Sequence, residues 1–323
     1  MRWAALTLLL AAVAAGCGDE AEPTSGPVKI RMGWGIPAEE IKYVMMHRPQ
    51  VAPNLGRAYD VEWHEFSGTA LGVQGLAAGT LDCATVGGFS VANGLDRGAD
   101  IVLLGEFIEE RSPYFSTPWM VRKDAGIDSV ADLRGKTVAT NAVGGSTDYL
   151  QDFYIASKGG GEPDRDYEKV EIPFGQMQET LLSGRVDVGL FPQPFAGAIE
   201  ATGEVKPLFR LKETIDPFVQ LLNGCRRDFV DDHRAAIDAF QADWARVAEW
   251  IKAPANRDAV IAASAAATKI PADVLERFLL TRDDYYRPER GAVNAEALQR
   301  EWDFFREQGG IERRLEVSDH LLP

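Results

Sequence analysis

The stretch from Val138 to Leu150, VATNAVGGSTDYL, places glycine and hydroxyl side chains where a helix is expected to start after a short strand. Glycine lets the backbone turn tightly, and the first N–H groups of a helix have no partners within it. Ser146 and Thr147, which follow Gly145, would therefore suit an anion or another hydrogen-bond acceptor. An ordinary capped turn between a strand and a helix is the alternative, and it stays open at this point.

A second stretch of the same kind lies earlier in the chain. The run EFSGTALGVQGLAAGTLDCATV, Glu65 to Val86, contains a strand that ends at Phe66. Ser67, Gly68 and Thr69 follow at the start of a helical segment, and we expect them to contact the same ligand.

An internal repeat supports this pairing of stretches. The segment LAAGTLDCATV, residues 76–86, aligns with LLSGRVDVGLF, residues 181–191, with glycine on glycine and aspartate on aspartate. A βαβ unit repeated at long spacing predicts two similar α/β lobes, each presenting the start of a helix to a shared cleft.

The N-terminus has the features of an export signal. Arg2 forms a short basic region, Ala4 to Ala15 is apolar but too short to span a bilayer, and the sequence AAGC ends at Cys17. Residues 1–16 resemble a bacterial lipoprotein signal, in which cleavage precedes Cys17 and that cysteine receives the lipid. A plain secretory signal is the alternative. Residues 17–27 are polar and contain proline and glycine, so they are expected to form a flexible tether.

Composition limits the classes of partner. Removal of the signal takes away one of the 34 basic residues, and the remaining 33, against 49 acidic residues, give a net charge of −16. Such a surface disfavours nucleic acid and anionic lipid head groups, so no nucleic-acid partner is expected. Cys83 and Cys225 would lie in an oxidising compartment. Either one disulfide between them or two buried free thiols fits the sequence.

The first strand of the fold, Val28 to Trp34, is expected to bring an aromatic residue to the ligand. Parallel α/β sheets bind ligands at the carboxyl ends of their strands, which is where Trp34 and Gly35 stand. Glu39 and Glu40 follow in the first turn of a helix, where carboxylates suit the helix dipole, and we expect both on a solvated face.

Other segments place further residues near the same cleft. Gly88 follows a short strand at residues 83–86, and Ser112 precedes a proline in a segment that reads as a hinge. Arg111 is the basic side chain best placed to pair with an acidic ligand. Residues 235–251 and 294–308 carry apolar stripes at helical spacing and are expected to be buried helices.

The order of these motifs carries a family resemblance. The run WMVRKDAGIDSVADLRGKTVATN, residues 119–141, and the run LLSGRVDVGLFPQPFAGAIE, residues 181–200, occur in sequence with the segments above. Together they resemble the periplasmic substrate-binding proteins of the nitrate/sulfonate/taurine ABC transporter family, over nearly the whole mature chain. The resemblance implies an α/β fold of two lobes, of the type II periplasmic-binding-protein kind, with a ligand cleft between them. The first lobe would comprise residues 28–112, the second 113–215, and residues 216–323 would complete the first.

The resemblance also implies a function. The protein would be an exported, lipid-anchored and monomeric solute receptor that closes on a small solute and delivers it to an ABC permease and its ATPase, without a cofactor or a metal. An anionic or strongly hydrogen-bond-accepting solute, such as a sulfonate, nitrate or an aromatic acid, would be captured. The residues expected to line the cleft are Trp34, Gly35, Ser67, Gly68, Thr69, Gly88, Ser112, Gly145, Ser146, Thr147, Gln193 and Phe195.

The chain departs from its relatives at two of these places. Sulfonate-binding members often have a histidine soon after the Ser/Thr pair, where this chain has Asp148 and Tyr149. They also often have a Trp-acid-Pro or Trp-Ala-Pro triplet where this chain has Pro192, Gln193 and Pro194. These departures argue against sulfonate or taurine as the solute.

An enzyme on the same fold is the main rival, and a surface adhesin or signalling protein is a third class. The four histidines show no HxH or HExxH spacing, which argues against a metal site. The run from Gly88 to Ala92 misses the G-x-S-x-G nucleophile motif at its last position. The cysteine-rich motif of the thiamine-pyrimidine enzymes is also absent. The sequence therefore favours solute binding over catalysis.

Overall fold

The computed structural model describes residues 26–35 and 37–322. The predicted signal and Cys17 lie outside these residues. Within the described part of the chain, none of the helices combines the length and the apolar character needed to cross a membrane.

Two five-stranded sheets organise the described residues. The strands of the first sheet are β1 (Val28–Trp34), β2 (Tyr59–Glu65), β3 (Cys83–Val86), β4 (Ile101–Glu110) and β10 (Phe218–Arg226). The strands of the second sheet are β5 (Pro118–Arg122), β6 (Thr137–Thr140), β7 (Glu168–Glu171), β8 (Val188–Leu190) and β9 (Val205–Arg210). The helices are α1 (Glu40–His47), α2 (Thr69–Ala77), α3 (Gly88–Asp96), α4 (Ser146–Ser157), α5 (Phe174–Leu182), α6 (Phe195–Glu200), α7 (Arg227–Asp232), α8 (Arg234–Lys252), α9 (Arg257–Thr268), α10 (Ala272–Glu276) and α11 (Ala295–Glu307).

Both sheets have the same topology. The first runs in the order β2-β1-β3-β10-β4 and the second in the order β7-β6-β8-β5-β9. In each sheet three parallel strands are followed by an antiparallel strand that enters from the other lobe. Each sheet with its helices forms one lobe, and the predicted two-lobed α/β fold is confirmed.

The internal repeat is visible in individual hydrogen bonds. Asp82 Oδ2 accepts from the Arg31 backbone N–H at 2.9 Å, and Asp187 Oδ2 accepts from the Thr137 backbone N–H at 3.0 Å. Each aspartate therefore ties the start of the strand that follows it to the middle one of the three parallel strands, β1 in the first sheet and β6 in the second. The repeat accounts for the aligned aspartates of the sequence.

The two stretches with hydroxyls at a helix start are not copies of each other, which corrects the pairing made from sequence. The turn from β2 to α2 contains Ser67 and corresponds in topology to the turn from β7 to α5. The turn from β6 to α4 contains Gly145 and corresponds to the turn from β1 to α1. The two hydroxyl turns are alike in composition because both face the space between the lobes.

Two crossover segments, residues 111–117 and 211–217, join the lobes. They are tied to each other, since the Ser112 N–H and hydroxyl donate to Asp216 Oδ1 at 3.2 Å and Oδ2 at 2.7 Å. The Ser112–Pro113 and Asp216–Pro217 peptide bonds are both cis. The chain therefore leaves the first lobe and returns to it at one place.

Helices cover both faces of the first sheet. Helices α1, α8 and α9 pack together on one face, where Trp244 is fully buried, and α2, α3 and α11 cover the other. The helices expected over residues 235–251 and 294–308 are α8 and α11. A disulfide joins Cys83 on β3 to Cys225 on β10, so the alternative of two free thiols does not hold.

Candidate functional site

A cavity of about 330 Å³ lies between the two lobes. Its walls are the turns at the carboxyl ends of the parallel strands, together with the starts of α2, α4 and α5 and a part of β10. The lining residues are Gly35, Pro37, Ser67, Gly68, Thr69, Ala70, Leu71, Gln74, Gly87, Asn141, Ala142, Val143, Gly145, Ser146, Thr147, Glu171, Pro173, Phe174, Gln220 and Leu221.

The structure brings seven of the twelve residues expected from sequence to this cavity. They come from three turns, one after β1, one after β2 and one after β6. The seven residues are Gly35, Ser67, Gly68, Thr69, Gly145, Ser146 and Thr147. That they contact a ligand stays a prediction.

Trp34 and Gly88 lie away from the cavity, contrary to expectation. The Trp34 ring packs edge-on against Tyr43 with ring centroids 6.3 Å apart. Gly88 faces the first lobe, where a Cβ atom would come within 1.8 Å of Glu301 Oε1. Its carbonyl accepts from Trp302 Nε1 at 3.2 Å, so glycine is required here for packing.

Ser112 and Gln193 also lie elsewhere. Ser112 serves the crossover described above. Gln193 is buried and does not line the cavity. Its backbone N–H donates to the Tyr285 hydroxyl at 3.1 Å, and its Nε2 donates to the Asp283 carbonyl at 3.2 Å. This residue links the second lobe to the C-terminal part of the first.

Two further residues that were expected near the ligand make other contacts in the structure. Phe195 stacks on Phe174 with ring centroids 5.7 Å apart, so it supports a lining residue without lining the cavity itself. Arg111 forms an ion pair with Glu109 at 3.2 Å and lies over the Tyr286 ring, away from the cavity.

Sequence reasoning missed several polar lining residues. Gln74, Asn141, Glu171 and Gln220 all face the cavity. Asn141 Oδ1 accepts from the Thr147 hydroxyl at 3.1 Å, so the Thr147 side chain is held by its own turn. Only Asn141, at the carboxyl end of a predicted parallel strand, carried a signal in the sequence.

The lobes contact each other beside the cavity. Ser146 Oγ at the start of α4 accepts from the Phe89 backbone N–H at the start of α3, at 3.1 Å. Further along α4, the Tyr149 ring stacks on Phe89 at 4.5 Å between centroids and meets Phe305 edge-on at 5.4 Å. The Tyr149 hydroxyl donates to the Gln308 carbonyl at 3.2 Å. One face of α4 therefore holds the second lobe against the first.

Carboxylates of the protein accept hydrogen bonds from three backbone N–H groups in the turns around the cavity. The Gly35 N–H donates to Glu39 Oε2 at 3.3 Å, and the Gly144 N–H donates to Asp148 Oδ2 at 2.9 Å. These two glycines lie in corresponding turns of the two lobes. The Val143 N–H donates to Glu171 Oε2 at 3.0 Å.

Glu39 and Glu40 are buried, which corrects the expectation that both lie on a solvated face. Glu40 accepts from Arg287 at 2.8 Å, and Arg287 also pairs with Asp284. The ion pair between Glu40 and Arg287 thus fixes the start of α1, which follows β1.

Lys42 is fully buried beneath the turn that follows β1. Its Nζ donates to the Gly33 carbonyl at 2.7 Å and to Thr85 Oγ1 at 2.6 Å. Burial lowers the pKa of Lys42 to about 8, and the nearby Glu39 carboxylate acts in the opposite direction. The two acceptors match the two hydrogens of a neutral amine, whereas the Glu39 carboxylate favours the ammonium form.

Apolar side chains from both lobes are presented to the cavity. Leu71 on α2 is 47% exposed and Val143 in the turn before α4 is 59% exposed, and the Phe174 ring lies nearby on the wall. Exposed large apolar side chains that face one another across a cleft are typical of a binding surface.

Comparisons with known proteins agree with this architecture. The model of the family described as NMT1/THI5 like matches residues 59–256. A search of curated proteins found no match.

Several solved structures share the fold. The periplasmic aliphatic sulphonate binding protein SsuA from Escherichia coli has 21% sequence identity and a TM-score of 0.69, covering 91% of this chain and 97% of that chain. The alkanesulfonate-binding protein SsuA from Xanthomonas axonopodis pv. citri, bound to MOPS, has 18% identity and a TM-score of 0.70, covering 92% and 99%. The periplasmic nitrate-binding protein NrtA from Synechocystis PCC 6803 has 13% identity and a TM-score of 0.69, covering 91% and 86%.

Proposed function

Because the chain belongs to the NMT1/THI5-like family, we propose that it is the extracytoplasmic solute-binding protein of an ABC importer. The observation that carries this proposal is the cavity between the two lobes, which contact each other beside it through Ser146 and Phe89. Structures that share the fold are described as sulphonate-binding and nitrate-binding periplasmic proteins. The protein would capture a small solute and deliver it to a permease and its ATPase.

Capture would proceed by closure of the lobes. A ligand shifts the equilibrium between open and closed arrangements only by contacts that it makes more strongly in one of them. The cavity receives residues from both lobes, such as Thr69 and Thr147, so a solute there contacts both walls only when the lobes are together. The crossovers tied by Ser112 and Asp216 give the lobes a common hinge.

The composition of the cavity supports binding over catalysis. Its described lining has four hydroxyl side chains, but no histidine, lysine or cysteine accompanies them. Glu171 is the lining carboxylate, and its Oε2 is bonded to the Val143 N–H. A hydroxyl nucleophile needs an adjacent base, and the lining residues supply no such pair.

We also propose that the mature protein is monomeric and is anchored to the membrane through a lipid on Cys17. The monomeric state is what the family resemblance implies. The anchor is supported by the sequence of the first 17 residues, with its apolar run and AAGC ending. In a bacterial host, Cys17→Ala should move the protein from the membrane fraction to the soluble extracytoplasmic fraction. An unchanged distribution would contradict the anchor.

Solute capture is tested by blocking the cavity. Ala70 on α2 lines the cavity, whereas Ala77 on the same helix is exposed and lies outside it. A solute present at about 100 times its dissociation constant adds about 2.7 kcal/mol to stability, which a melting curve resolves. A metabolite screen by thermal shift should find a compound that stabilises the wild type and Ala77→Trp but not Ala70→Trp. The absence of any stabilising compound, together with no co-purified small molecule in native mass spectrometry, would refute solute capture.

A further inference from the structure

The charges around the cavity decide which class of solute it can hold. We propose that the cavity binds an organic solute with no net negative charge, which has an amine or amide head group that donates hydrogen bonds and an apolar body. This inference rests on the proposed function. It departs from the expectation, made from sequence, of an anionic or hydrogen-bond-accepting solute.

The described lining of the cavity contains no cationic side chain. None of the described residues that line the cavity is an arginine, a lysine or a histidine. Lys42 is buried beneath the turn after β1, where its Nζ donates to the Gly33 carbonyl and to Thr85 Oγ1.

Two other cations, on neighbouring elements, are already paired with carboxylates. Lys169 on β7 bonds to Asp148 at 3.0 Å and to Asp152 at 2.8 Å, and Arg111 pairs with Glu109.

Three backbone donors in the turns around the cavity are already used by the protein itself. Turns at the carboxyl ends of parallel strands can bind anions through free N–H groups. Here the N–H groups of Gly35, Val143 and Gly144 donate to carboxylates of the protein itself. An anionic solute would therefore find these three donors occupied.

Asp148 is neutralised by Lys169, so the repulsion of an anion comes from Glu171, which has no ion pair among the described residues. The starts of α2 and α4 carry no side-chain cap, and their N–H groups suit a neutral acceptor such as an amide carbonyl.

Two side chains of the lining, Gln220 and Glu171, offer hydrogen-bond acceptors. Gln220 lines the cavity from β10, and its buried Oε1 has no hydrogen-bond partner among the described residues. An unpartnered buried oxygen is costly, and a donor on the solute would relieve that cost once rotation of the Gln220 side chain turns this oxygen towards the cavity. Glu171 supplies a second acceptor, with a negative charge. An N–H head group, neutral or cationic, satisfies both.

The apolar body of the solute is inferred from the remaining lining. Leu71 and Val143 expose large apolar side chains from opposite lobes, and the Phe174 ring, stacked on Phe195, forms a flat wall. Burial of these surfaces against an apolar solute is favourable in proportion to the area removed from water.

Matched sets of compounds test this inference on the mature protein. One set is benzoate, benzamide and benzylamine, and another is butyrate, butyramide and butylamine; nitrate and ethanesulfonate serve as further anions. These probes accompany a metabolite library sorted by net charge at pH 7.5, and binding is measured by thermal shift and titration calorimetry. We expect stabilisation by amines or amides, and none by the acids of the same shape.

Glu171→Gln removes the charge at the cavity while leaving an oxygen to accept from Val143. Glu168→Gln, on the same strand but exposed and outside the cavity, is the matched control. Glu171→Gln should weaken binding of a cationic hit at least about tenfold, and Glu168→Gln should leave it within about twofold. A neutral hit should respond less to Glu171→Gln than a cationic one.

The outcomes separate this inference from the proposed function. If anions bind as tightly as their amides and amines, or if the two glutamate variants behave alike towards a cationic hit, the inference is overturned while solute capture stands. If no compound of any charge binds and nothing co-purifies, solute capture itself fails and the inference fails with it.

Discussion

Tyr149 allows lobe closure to be tested before any solute is known. Its ring contacts Phe89 and Phe305 of the other lobe, and its hydroxyl donates to the Gln308 carbonyl. Each aromatic pair contributes about 0.5–1.5 kcal/mol, and a hydrogen bond contributes a further ~0.5–1.5 kcal/mol. Tyr149→Ala should therefore destabilise the closed arrangement by about 1.5–4.5 kcal/mol. Tyr149→Phe, which removes only the hydroxyl, should cost about 0.5–1.5 kcal/mol.

These energies convert to measurable populations. A factor of ten in the closure equilibrium corresponds to about 1.4 kcal/mol, so Tyr149→Ala should shift that equilibrium by about 10- to 2,000-fold. Spin labels at Arg57 in the first lobe and Glu179 in the second, both exposed, report the separation of the lobes. Pulsed electron–electron double resonance should show a longer distance between the two labels for Tyr149→Ala and a small change for Tyr149→Phe.

A control variant isolates the effect on closure. The Tyr167 hydroxyl donates to Asp152 Oδ1 at 2.7 Å within the second lobe, so Tyr167→Phe removes a hydroxyl without touching the contact between lobes. Its distance distribution should match that of the wild type. An unchanged distribution for Tyr149→Ala would refute the view that this face of α4 holds the lobes together.

Three further predictions concern stability, measured by urea unfolding. Replacing Arg287 with methionine leaves two buried carboxylates without their partner and should cost about 3–5 kcal/mol; a loss below 1 kcal/mol would contradict that. Lys42 has a pKa of about 8 in the folded protein against 10.5 in the unfolded chain, so between these pH values the unfolded state binds more protons and stability rises with pH. From pH 7.5 to 10 the wild type should gain about 2–3 kcal/mol relative to Lys42→Met, and a flat difference would show that burial does not lower this pKa. Replacing both Cys83 and Cys225 with alanine should cost about 4–5 kcal/mol, because the bond spans a sequence separation of 142; equal stability of oxidised and alanine forms would argue against the entropic account.

The strands and turns of the site could be predicted because their signals are local. Glycine followed by hydroxyls at a helix start is a short pattern, and it located Ser67 and Ser146 correctly at the cavity. A further local signal went unused. Gly35 and Gly144 each precede by four residues the carboxylate that accepts their N–H, at Glu39 and Asp148. That spacing could have indicated that both turns carry their own anion.

The rest of the site depends on contacts between distant parts of the chain. Gln220 reaches the cavity only because β10 returns from the second lobe and inserts between β3 and β4. Glu171 matters because it bonds to Val143, which is 28 residues away. Gln193 was placed at the cleft by the family resemblance, through the triplet that it forms with Pro192 and Pro194, but its partners come from residues 283–285. Hydrophobic periodicity and turn chemistry carry no information on such pairings.

The tied crossovers make the second lobe an insertion in a hairpin. Glu110 at the end of β4 pairs with Phe218 at the start of β10, and Pro118 pairs with Arg210 at the corresponding edge of the second lobe. Excision of residues 111–217 in favour of a short turn would therefore leave β4 and β10 as an ordinary antiparallel hairpin. The second lobe could therefore be exchanged as one unit. The exchange would replace the cavity residues that the second lobe supplies, while the first sheet keeps its strand order.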